Sequence, residues 1–214
     1  MVGRAHTASM SRHNAPGLLS RLAGGLLKLA LPVAFLLTAG AACVIYSDLP
    51  AKDLGTFAGR PLSVGVALLP VTFFVIHLTN RRYGATCAFA QVLAAWVLAM
   101  IALPSFLPMI PQVPDTRVLA GFAAGLFVAQ LAAVVLFDRL RGPTWWKAPF
   151  FASLFGGLLL CLIAFPLAFA GTSAGWPGEM IGFVELATGA SFLLLVPYGL
   201  LRSVVPPQSG FGGY

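Results

Sequence analysis

A chain of 214 residues that is 59% hydrophobic and 9% charged carries too little charge to wet a globular surface, since soluble domains are about a quarter charged. With a mean hydropathy of +0.91, its apolar side chains exceed what one core of this size can hide, which excludes a soluble enzyme and makes a bilayer the solvent. The formal net charge of +7 is therefore read loop by loop, as a topology signal, and not as a nucleic-acid footprint.

A helix crossing a bilayer needs about 20 mainly apolar residues, and six windows meet that length, at roughly 26–46, 61–79, 85–103, 118–137, 148–170 and 180–201. The expected fold is all-α: a polytopic membrane domain of six transmembrane helices over 26–201, after a basic N-terminal tail, 1–25, and before a C-terminal tail, 202–214. Arg4, Arg12, Arg21 and Lys28 precede the first window. Tyr46-Ser47-Asp48 follows it without a small-x-small cleavage pattern, so the window reads as a span and not as a signal peptide. Asn80-Arg81-Arg82-Tyr83-Gly84 joins the second and third windows as a short basic turn.

Pro50, Pro104, Pro108, Pro111, Pro114, Pro143 and Pro177 fall between windows, where a missing amide donor does least harm. Pro32, Pro70, Pro166 and Pro197 fall inside spans and are expected to kink them. Gly121-x-x-x-Gly125 and Gly156-Gly157 are candidate helix-packing positions. Trp145, Trp146 and Trp176 mark interface depth. Cys43, Cys87 and Cys161 lie in apolar runs without metal-ligand spacing and read as core thiols.

An even span count puts both termini on the side of the 80–84 and 138–147 loops. That side holds Arg4, Arg12, Arg21, Lys28, Arg81, Arg82, Arg139, Arg141, Lys147 and Arg202, ten of the thirteen Lys and Arg residues. Lys52, Arg60 and Arg117 lie opposite. The positive-inside rule then expects cytoplasmic N and C termini in a bacterial inner membrane. Arg81, Arg82, Arg139 and Arg141 read as topology determinants and lipid-phosphate contacts.

Ionisable groups within a span cost about 2.5–3.5 kcal/mol on insertion scales, so each is a candidate site. His77 has two readings: a proton-responsive group or an axial ligand to haem iron or a chlorophyll magnesium, and a neutral imidazole hydrogen-bonded to a neighbouring helix. Glu185, about one turn into the last window, is a coupling carboxylate or an interfacial or paired side chain. Gln91 and Gln130 suit hydrogen bonding between helices, and Thr79 and Asn80 extend this polar set. No GxSxG elbow, phosphate loop or HExxH motif occurs, and the chain has six carboxylates in all, so no enzymatic role and no resident metal are expected.

Two stretches carry a resemblance. Leu69-Pro70-Val71-Thr72-Phe73-Phe74-Val75-Ile76-His77-Leu78-Thr79-Asn80-Arg81-Arg82-Tyr83-Gly84-Ala85 is similar to the signature of the VUT family, the bacterial queuosine precursor transporters. Gln130, Phe137-Asp138-Arg139-Leu140-Arg141, Trp145-Trp146, Pro149, Ser153, Phe155-Gly156 and Ala168-Phe169 resemble that family's fourth and fifth spans with the arginine-rich loop between them. Trp176 and Pro197-Tyr198-Gly199 resemble its ending, so the similarity covers roughly residues 55–201. The resemblance implies a six-helix carrier of 7-deazaguanine bases.

The departures fall on polar positions. His77 stands where the family usually has aspartate, Phe89-Ala90 where it has paired arginines, and Ala133 at another acidic position. Gly157-Leu158-Leu159-Leu160 replaces Asn-x-Ser-Asp, and Leu186 replaces an intramembrane lysine. The expectation is therefore an accessory subunit docked in a larger membrane complex, photosynthetic or respiratory for example, with bound lipids and with transport lost. The alternative is a carrier of queuosine precursors or a related purine-like solute, with Gln91, Gln130, Glu185, Thr79 and Asn80 as its polar lining. A third reading makes His77 a pigment or haem ligand within such a complex.

Overall fold

The computed structural model describes residues 18–47, 56–57, 60–61, 63–110, 115–173 and 175–208. Its helices are α1 (Leu18–Ile45), α2 (Val64–Tyr83), α3 (Ala85–Phe106), α4 (Thr116–Arg139), α5 (Lys147–Phe169), α6 (Trp176–Leu193) and α7 (Leu195–Leu201). Two-residue strands β1 (Thr56–Phe57) and β2 (Arg60–Pro61) pair antiparallel between α1 and α2, Thr56 opposite Pro61 and Phe57 opposite Arg60. With α6 and α7 in series, six segments are long and apolar enough to cross a membrane. The chain is a multi-pass, helical membrane protein.

Several element ends differ from those that hydropathy predicts. The first helix begins at Leu18, inside the stretch expected as a tail. α2 runs through Tyr83, so Asn80 to Tyr83 form its last turn and Gly84 alone joins it to α3. Gly84 has φ of +85°, a conformation open to glycine but costly for residues with a Cβ. Pro104 lies inside α3 and not beyond it.

Pro177 sits in the first turn of α6, where its missing amide would have had no helical partner, so the helix starts at Trp176. Pro197 cannot donate to the carbonyl four residues earlier, and α6 accordingly ends at Leu193 before α7 resumes. Pro32, Pro70 and Pro166 lie within α1, α2 and α5. Pro50, Pro111, Pro114, Arg4, Arg12 and Lys52 lie outside the described residues.

Between helices, small residues let backbones meet, as lipid-embedded helices require. α4 and α5 make the most extensive pairing. A Cβ at Gly121 would lie 2.9 Å from the Ala168 amide nitrogen, and one at Gly125 3.0 Å from the Ala164 Cβ. On α5, Gly156 lies under the Phe73 ring of α2, and Gly157 faces Ala187 of α6, where a Cβ would come within 2.8 Å of the alanine Cβ. Gly65 is tighter still: its amide donates to the Tyr46 carbonyl at 2.8 Å, and an added Cβ would clash with the Cys43 carbonyl oxygen. Phe73, Ala129, Ala133, Leu160, Cys161 and Ala164 fill the centre of the bundle.

Three connections gather at one end: the Gly84 turn, the 140–146 loop and the segment after α7. There Arg141 reaches Asn80, Arg202 lies over Trp145, and the Gln208 amide donates to the Arg81 carbonyl at 2.9 Å. This hairpin end carries most of the polar side chains that the fold buries.

Candidate functional site

The final turn of α2 is polar because it is the centre of a joint. Asn80 is fully buried, and its Nδ2 donates to the Val134 carbonyl of α4 at 3.0 Å. The Arg141 guanidinium, just past α4, donates to both the backbone and the side-chain carbonyl oxygen of Asn80. Arg141 also pairs with Asp138 at 3.0 Å and lies over the Phe137 ring. Burial pulls the Arg141 pKa below its ordinary value while Asp138 opposes that shift. Arg81, also buried, donates through Nε to the Val205 carbonyl at 2.9 Å, tying the chain's end to α2. Arg81, Arg141, Trp145 and Tyr198 border a cavity of about 20 Å³, room for about one water.

One turn back along α2, His77 is 1% exposed. Its Nε2 is 3.0 Å from the Ser153 hydroxyl of α5, and its ring stacks on Phe137 with centroids 5.0 Å apart. Nδ1 has no hydrogen-bond partner among the described residues. Thr79 turns back on its own helix, donating to the Val75 carbonyl at 3.2 Å.

The two glutamines each join helices. Gln91 of α3 donates to the Pro32 carbonyl of α1 at 2.9 Å. Gln130 of α4 accepts from the Trp96 indole of α3 at 2.8 Å. Deeper inside, Phe73, Ser153, Gly157, Leu160, Phe183 and Ser191 enclose a gap of about 10 Å³. Ligand pockets run to about 300–1,000 Å³.

Glu185 departs from its expected place. Because α6 begins at Trp176, Glu185 lies about 13 Å along the helix and not one turn in. Its side chain is exposed on the outside of the bundle, away from the other candidates. The structure thus brings His77, Asn80, Arg81 and Arg141 together at the hairpin end, sets Gln91 and Gln130 apart as separate ties, and leaves Glu185 alone. Arg82 lies near its neighbour Tyr83, and Trp146 packs on Phe150 and Phe151. Cys43 and Cys161 are buried and Cys87 is partly so.

Trp96, Phe137, Ser153 and Tyr198 complete these contacts and are not singled out as site residues from sequence. Trp96 had one usable signal, since an indole N–H buried among apolar neighbours requires an acceptor. Among the described residues, no group of three or more His, Cys, Asp or Glu side chains could hold a metal ion. No protein-family model, no curated protein and no solved structure matches this chain.

Proposed function

We propose that this chain is a non-transporting accessory subunit of a larger membrane assembly in a bacterial inner membrane, built on a scaffold related to the VUT carriers. One observation carries the reading: His77, Asn80, Gln91 and Gln130, side chains that a carrier would aim at a solute, are engaged in ties between helices, and the gap bordered by Phe73, Ser153 and Leu160 is only about 10 Å³. A 7-deazaguanine base presents several donors and acceptors. Each one buried without a partner costs about 1–3 kcal/mol, and the side chains at Phe89, Ala90, Ala133, Leu159, Leu160 and Leu186 supply none.

Arg81, Arg82, Arg139, Arg141, Lys147 and Arg202 all belong to the hairpin end, whereas Arg117 binds the Leu167 and Ala170 carbonyls at the opposite end. That asymmetry supports a cytoplasmic hairpin end with both termini on its side. Respiratory and photosynthetic complexes are hosts of the kind envisaged, and no enzymatic step is assigned to this chain. Solubilised gently from its native membrane, the 22.4 kDa chain is expected to elute in a much larger species with stoichiometric partners. A monodisperse monomer would refute the proposal.

A further inference from the structure

Glu185 is a carboxylate at a depth where lipid offers it nothing. Three contacts set the register of α6 against α5: Phe150 with Phe192, Gly157 with Ala187, and Phe165 with Phe183. They run antiparallel, so Glu185 lies level with the residues just beyond Gly157, the middle of α5 (Lys147–Phe169). A charged side chain at such a depth is costly unless it is paired. Yet Glu185 faces outward and has neither a hydrogen bond nor an ion pair among the described residues.

Its surroundings have the form of a helix seat. At helical spacing, Ile181, Glu185, Gly189, Phe192 and Val196 are all exposed on one stripe. A Cβ at Gly189 would meet nothing within 4 Å, so another backbone can come close one turn from the carboxylate.

We propose that this face of α6 docks a transmembrane helix of another polypeptide, one that presents a lysine, arginine or histidine to Glu185 at mid-membrane depth. The inference rests on the subunit reading above and names its surface and partner chemistry. Charge complementarity selects a different polypeptide over a second copy. Of the described basic side chains of this chain, Arg81, Arg82, Arg117, Arg139, Arg141, Lys147 and Arg202 belong to helix ends and connections, and Lys28 lies within α1, one turn before Pro32 and so toward the hairpin end; a two-fold axis through this face would set glutamate against glutamate.

The test places a photo-crosslinking amino acid at position 189 of the full chain in its native membrane, with position 101, exposed on α3, as the control. Position 189 is expected to crosslink to one membrane-spanning helix with a basic residue near the crosslinked site, and position 101 not to do so. Glu185→Ala is expected to lower both crosslink yield and the large species about tenfold, in line with loss of one interhelical polar contact. Glu185→Lys should do the same, and a basic-to-glutamate change in the partner should restore binding to that variant. Crosslinks from 189 to lipid alone, to a second copy or to a helix without a basic residue would overturn the proposal, as would unchanged yield in Glu185→Ala. If 189 fails while the chain still migrates in a large assembly, this surface is wrong and the subunit reading stands. Migration as a monomer removes both.

Discussion

Arg141, beyond the end of α4, donates to both carbonyl oxygens of Asn80 on α2, backbone and side chain. Asn80 in turn donates to Val134 of α4, so one buried amide fastens the end of one helix to the next and to the loop beyond it. A basic turn that sequence alone reads as a topology signal is thereby also a structural joint. Asn80→Leu is expected to lower stability by about 1–3 kcal/mol, because it takes one acceptor from the half-buried Arg141 guanidinium and the donor from the Val134 carbonyl. Denaturant unfolding in detergent measures this, and wild-type stability in the variant would contradict the role given to Asn80.

The approach of α1 to α2 at Gly65 makes a contrasting pair of substitutions informative. Gly65→Ala must displace backbone at Cys43 and Ser47 and should cost about 1–3 kcal/mol, as overfilled sites do. Gly24→Ala meets nothing within 4 Å and is expected to be neutral or to stabilise by up to about 1 kcal/mol through helix propensity. Equal thermal shifts in the two variants would argue against this contact.

Trp96 and Gln130 form a tie that a double-mutant cycle isolates. Gln130→Leu strands the indole N–H, and Trp96→Phe strands the amide oxygen. The double variant strands neither and should be nearly as stable as the wild type. The expected coupling is about 0.6–1.7 kcal/mol, the range of hydrogen bonds between membrane helices. Additive effects would place the two side chains out of contact.

A reporter fused after residue 208 and another inserted in the 140–146 loop should report the same side of the membrane. Under the positive-inside rule that side is the cytoplasm. Opposite sides would break the even span count, and the same but extracytoplasmic side would overturn the orientation alone.

The number of spans was legible in hydropathy because lipid exposure demands long apolar runs. Their ends were less so. Asn80 and Arg81 look like turn residues from composition, and they remain helical because Val134, Arg141 and Val205 satisfy them from other parts of the chain. Glu185 lies deeper than its window predicts because hydropathy starts that window at 180 with Pro177 outside it, whereas proline in a first turn lets α6 begin at Trp176. The candidate polar residues stood out by their cost in a membrane. Their partners did not, since Gln91 with Pro32, Gln130 with Trp96 and His77 with Ser153 are pairings across helices that no local pattern encodes.

The measurement that bears most directly on a polar set consumed by its own scaffold is solute uptake. Expressed at confirmed levels in a bacterial strain lacking its own queuosine precursor importer, this chain is expected to leave tRNA without queuosine when the 7-deazaguanine precursor is supplied outside. Restored queuosine would mean that the bundle opens a path between its helices, and would contradict the account.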